Sequence, residues 1–136
     1  MLFGISFTAR PGKEASLERV LSDRDTIRRV AAHMGATLEA VFLQGSRFTE
    51  VFDLPGAEPA LARSRVLAAH AQPEVRSFLQ QFAPLLDDPF DPEDPTSFAA
   101  WLQRHKLRLV VDARMPGHAP AAKTSSGAPA MDAAPR

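Results

Sequence analysis

TLEAVFLQGSRFTEVFDLPG, residues 37–56, decides the fold. Two strand-like runs meet at Gln44-Gly45-Ser46, a turn sequence between alternating residues, and this predicts a β-hairpin. Its first arm places Leu38, Ala40 and Phe42 on one face and Thr37, Glu39, Val41 and Leu43 on the other; its second sets Phe48, Glu50 and Phe52 against Arg47, Thr49, Val51 and Asp53. Each arm carries one carboxylate among apolar neighbours. Buried there, a carboxylate needs a partner or a raised pKa, which makes Glu39 and Glu50 candidate acids or bases. On an edge strand or an open sheet face the same charges simply meet water.

Upstream of the hairpin, residues 2–9 alternate Phe3, Ile5, Phe7 and Ala9 against Leu2, Gly4, Ser6 and Thr8, the period of a strand with one greasier face. If the milder face lines a cavity, the Ser6 and Thr8 hydroxyls are candidate substrate contacts; otherwise they are ordinary strand residues. After Arg10-Pro11-Gly12, Leu17, Val20 and Leu21 fall at helical spacing, and Ile27, Val30, Ala31 and Met34 continue it. Ser22-Asp23-Arg24-Asp25 is polar enough to end one helix and cap another, so two pieces are expected before Gly35.

Downstream, Pro59 suits a first helical turn and residues 57–71 read as a helix; Val75, Phe78, Leu79, Phe82, Leu85 and Leu86 mark another, which Pro84 kinks or ends. DDPFDPEDP, residues 87–95, holds five carboxylates but neither the glycine nor the terminal glutamate of a calcium loop, and reads as a solvated loop with no metal. Thr96 or Ser97 is placed to cap a helix carrying Phe98, Trp101, Leu102 and His105, and Leu107, Leu109 and Val111 alternate as a last strand. The domain is expected to span residues 1–113. Residues 114–136 hold four of the twelve prolines, many alanines and little that is large and apolar, the composition of a disordered tail.

The element order is strand, helix, strand, strand, helix, strand, that of a ferredoxin-like split βαβ α+β domain: one antiparallel four-stranded sheet with helices on a single face. Its other face carries enough apolar residues to predict a homodimer of the dimeric α/β-barrel type, with a cavity between sheet and helices for a flat hydrophobic ligand. At 136 residues, 45% hydrophobic, the chain suits one domain. Sixteen basic residues balance sixteen acidic ones, so no global field recruits nucleic acid or an anionic membrane. With no cysteine, no signal peptide and no run of roughly 20 apolar residues, a cytoplasmic protein is expected.

The strand ending in Arg10-Pro11-Gly12, the hairpin FLQGSRFTEVFDLPG, the segment AQPEVR at residues 71–76 and DDPFDPEDP with Phe98 after it, in that order, resemble the SchA/CurD-like proteins found with aromatic (type II) polyketide and spore-pigment synthases of actinomycetes. The chain departs from that pattern at Glu50, where a basic residue is usual, at Ala100-Trp101, and in a longer segment 25–36. The resemblance implies a part in making or tailoring an aromatic polyketide. Neighbouring families of this architecture include polyketide cyclases and cofactor-independent monooxygenases, so no cofactor is implied. The implied partners are a polyketide intermediate, carrier-protein bound or free, and polyketide synthase components. A noncatalytic dimeric chaperone or scaffold of the synthase is the alternative, and no established catalytic set comes with the resemblance.

A cyclase needs a base for an acidic methylene and a donor for the enolate oxygen. His33 and His70, each near a helix C-terminus, join Glu39 and Glu50 as catalytic candidates, against a plain role as helix-end residues. Arg47 beside the hairpin turn is a candidate for a carrier phosphate or an enolate. Phe52 and Trp101 are candidate substrate-binding aromatics that also suit core or interface.

Overall fold

The computed structural model describes residues 1–56 and 59–114, excepting the side chains of Glu39 and of residues 59–62. The chain runs β1 (Leu2–Thr8), α1 (Glu14–Leu21), α2 (Arg24–His33), β2 (Thr37–Gln44), β3 (Arg47–Asp53), α3 (Pro59–His70), α4 (Pro73–Phe82), a 3₁₀ turn (Ala83–Leu85) and α5 (Pro95–His105). The expected break between α1 and α2 is present: Ser22 Oγ donates back to Glu18 O at 2.6 Å, and the Asp23 carboxylate accepts from Thr26 N to cap α2. Gly35, at φ 72°, supplies the left-handed residue that ends α2, and Gly45, at φ 63°, turns the hairpin. Pro84 ends the regular hydrogen bonding of α4 and forces the 3₁₀ turn.

The sheet order is β1-β3-β2, antiparallel throughout. On the outer edge of β1, Lys106 bridges Ile5 and Leu107 N donates to Gly4 O at 2.8 Å, so the chain after α5 occupies the fourth position of a ferredoxin-like sheet. Pairing in that position is limited to this bridge and hydrogen bond, and the expected strand over 107–111 is not formed. In the register of the Ile5–Lys106 bridge Arg108 would face Phe3 and Leu109 would face Leu2, yet no further bridge forms there, and Val110 and Val111 are 78% and 73% exposed. The tail from Met115 onward lies outside the described residues.

Cross-strand pairs Phe3–Phe52, Ile5–Glu50 and Phe7–Phe48 turn toward the helices, while Gly4, Ser6 and Thr8 pair with Val51, Thr49 and Arg47 on the other face. β2 departs from simple alternation. A bulge between Leu38 and Ala40 puts Leu38 opposite Phe52 on the helix face but Ala40 and Phe42 on the open one, so the expected single face for 38, 40 and 42 is split.

Phe7 is the hub of the packed half of the core, stacked on Phe48 at 5.9 Å and edge-on to Phe82 at 5.3 Å, with Trp101 at 5.5 Å. The 87–95 loop is anchored here rather than merely solvated, because buried Phe90 lies 5.2 Å from both Phe98 and Trp101. Its carboxylates hold the loop and α5: Asp88 accepts from Arg104 and His105, Glu93 from Gln80, and Asp94 from Thr96 N. Asp94 therefore caps α5, where Thr96 or Ser97 was the expected cap; Ser97 Oγ instead accepts from Asp91 N.

Phe7→Ala removes the hub and is expected to lower the unfolding free energy by about 3–5 kcal/mol in urea denaturation. The hydrogen bond to His105, then that to Arg104, holds the Asp88 carboxyl below its ordinary 3.8. A depressed acid stabilises the fold above its unfolded pKa and stops doing so as pH falls through its folded value. Asp88→Asn should thus be less stable than the parent at pH 7, with the gap closing in acid below that 3.8.

Candidate functional site

Between the sheet and its helices lies a cavity of about 140 Å³. The sheet contributes Phe3, Ile5, Glu50 and Phe52; α2 contributes Ile27, Val30 and Ala31, and Met34 follows at its C-cap. Val66 of α3, Phe78 and Leu79 of α4, and Trp101 and Leu102 of α5 complete the wall. The volume is near that of an engineered cavity that takes up benzene, so one aromatic ring fits and anything longer must reach out through the opening. Arg63, Gln103 and Lys106 line it while exposed to solvent, which places them at its rim.

Among the described residues Glu50 is the one carboxylate on this wall, 6% exposed on the central strand, between inward-facing Phe48 and Phe52. Its carboxyl makes no hydrogen bond among the described residues. Burial alone pushes its pKa from 4.5 up to about 8, so at neutral pH it is a carboxylic acid able to donate a hydrogen bond, and above that it is a stronger base than an ordinary carboxylate. The arrangement resembles in kind a neutral acid held in an apolar site to serve an oxyanion.

The other candidates are scattered. Phe52 and Trp101 line the cavity, and Trp101 also donates Nε1–H to Asp88 O at 2.9 Å. His33 lies outside the cavity, its Nε2 3.3 Å from the Glu74 carboxylate, whose pKa is lowered chiefly by Arg29 and further by His33. His70 is buried away from the cavity, its Nε2–H donating to Pro92 O at 2.8 Å, while Arg76 caps the end of α3 by donating to His70 O and Ala71 O. Ser6 Oγ accepts from Arg47 Nη1 at 2.8 Å on the sheet face turned from the helices, and Thr8 shares that face. Of a cavity lined by Ser6, Thr8, Glu39, Glu50 and a histidine, the described side chains are not brought together: the sheet separates Ser6 and Thr8, and Arg47 with them, from Glu50. Glu39 sits at the β2 bulge, its side chain outside the description.

Residues 1–115 match the SchA/CurD like domain. The chain belongs to the SchA/CurD-like family. Among curated proteins none matches it. Among solved structures, this family member is similar to a NIPSNAP domain protein from Burkholderia xenovorans, with 14% identity and a TM-score of 0.57 over 85% of this chain and 99% of that one. It is similar also to protein Atu4242 from Agrobacterium tumefaciens, with 18% identity and a TM-score of 0.52 over 64% of this chain and 85% of that one. At these identities the likeness is one of fold. Among the described residues no helix is long and apolar enough to cross a membrane.

The SchA/CurD-like cavity makes its own pH prediction. Glu50 has a folded pKa above its unfolded one, so its ionisation costs nothing below about 4.5 and increasingly opposes folding as pH rises toward 8. Glu50→Gln should be more stable than the parent by roughly 3 kcal/mol at pH 7, the gap vanishing below the ordinary carboxylate range. A ¹³C carboxyl titration with a Glu50 midpoint under 5 would show the group to be hydrated instead.

Proposed function

We propose that this protein is an accessory factor of aromatic polyketide biosynthesis that tailors the polyketide intermediate at the Glu50 cavity. The supporting observation is a buried carboxyl, without a hydrogen-bond partner among the described residues, in an apolar wall sized for one ring. Poly-β-ketone chemistry begins with removal of a methylene proton and build-up of negative charge on the adjacent carbonyl oxygen. The ionised Glu50 carboxylate accepts that methylene proton. The carboxylic acid so formed donates a hydrogen bond to the enolate oxygen, in a water-poor site where such a bond is worth more than in solution. Enolisation serves either outcome: attack of the enolate carbon on a second carbonyl closes a ring, as in a cyclase, and reaction with molecular oxygen turns the methylene into a carbonyl, one oxygen atom entering the product and the other leaving as water, as in a cofactor-independent monooxygenase.

A noncatalytic dimeric chaperone or scaffold is the second reading, favoured by exposed apolar side chains at both edges of the sheet: Phe42 on β2 is 61% exposed, and on the β1 side Leu107, Leu109, Val110 and Val111 are exposed as well. Covering the open sheet face with a second copy would make a homodimer, and synthase components or a carrier protein would then meet its rim.

The test is the product profile of a reconstituted aromatic polyketide synthase with and without the protein. A tailoring factor changes that profile, and Glu50→Gln reduces the change at least tenfold while the variant stays folded. An effect fully kept by Glu50→Gln and by Glu50→Leu points to the chaperone, and no effect of the parent protein ends both readings.

A further inference from the structure

Resting on that reading of the cavity, we infer that the ligand is a single-ring compound bearing a hydrogen-bond acceptor at its buried end and an anionic group at the other, held between Glu50 and the cations Lys106 and Arg63. The inference starts from the register. Lys106 bridges Ile5, and Ile5 pairs with Glu50, so the three form one row across the sheet and face the same side. Strands lie about 4.8 Å apart, which puts the Lys106 and Glu50 backbones roughly 10 Å apart with Ile5 as the apolar floor between them. That gap suits one aromatic ring with a substituent at each end, and it agrees with the cavity volume of about 140 Å³.

The two ends differ in chemistry. Glu50, buried and without a partner among the described residues, offers a hydrogen bond to a ketone or phenol oxygen. Lys106 and Arg63 line the same cavity from the solvent side, and neither makes an ion pair among the described residues. Arg65, also on the lining, donates to Pro55 O and so is partly committed to the backbone. An apolar cavity with a neutral donor inside and cations only at its mouth orients an amphipathic anion in one direction. The anion can be the carboxylate of a free acid or the phosphate of a carrier tether; what the rim recognises is the charge.

The probes are 4-acetylbenzoate and its neutral isostere 4-acetylbenzamide, titrated into the full chain at pH 7 and low salt, with Glu50 backbone shifts reporting occupancy. The benzoate should bind about fivefold more tightly, a difference that 0.5 M salt and the double variant Lys106→Met/Arg63→Met both remove while the benzamide affinity stays unchanged. Equal binding of the two probes overturns the anionic-end inference and leaves the cavity reading intact. Binding of neither probe overturns the cavity reading along with it. Replacing the benzoate by 4-acetylphenyl phosphate separates the sources: tighter binding of the phosphate supports a tethered ligand, tighter binding of the carboxylate a free acid.

Discussion

The antiparallel pairing of β1 with β3, in register from Leu2–Asp53 to Thr8–Arg47, sets everything above and below the sheet. It is this register that turns Phe3, Ile5 and Phe7 together with Phe48, Glu50 and Phe52 under the helices. A slip of one residue in either strand would carry its large apolar side chains to the open face and bring serine, threonine or arginine inside, a loss larger than the whole stability of a small domain. The helices have no comparable freedom to choose their face, since each must cover what this pairing presents.

The inward row is not uniformly packed, and the difference creates the site. At the hairpin-turn end, Phe7 and Phe48 are closed over by Phe82 and Trp101, and neither Phe7 nor Phe48 lines the cavity. Toward the other end Phe3 stacks on Phe52 at 5.2 Å, and the cavity opens above that pair and above Ile5. Glu50 stands where the dense half meets the hollow half. The aromatic cluster supplies the rigid wall, so the carboxyl's desolvation reflects a fixed environment that nearby side chains cannot easily rehydrate.

The strands, the paired helices of the first crossover and the inward alternation of residues 48, 50 and 52 were legible because each is a local periodic signal. What escaped periodicity depended on partners far along the chain. His33 finds Glu74, His70 finds Pro92 O, and His105 lies between Ser6 O and Asp88, at separations of 41, 22, 99 and 17 residues. Helix-end position suggested a role for the first two but could not say what they face. The β2 bulge, the capture of Phe90 and the unformed strand at 107–111 are of the same kind, each decided by a neighbour rather than by the segment itself. Lys106 carried no signal at all; only its bridge to Ile5 places it on the face of Glu50.

An acid at an inward position of a central strand is, for folding alone, a poor choice. β3 is paired on both edges, so the backbone cannot rotate Glu50 toward water, and no described group accepts or donates a hydrogen bond to it. A leucine there would be free of that desolvation cost and would fill part of the cavity, stabilising the fold by both routes. The carboxyl is therefore a liability to the apo fold that a hydrogen-bond acceptor in the cavity would offset, and binding such a ligand would tighten the whole domain by linkage. A local conflict of this sort, set in an otherwise consistent core, is where physical reasoning places function.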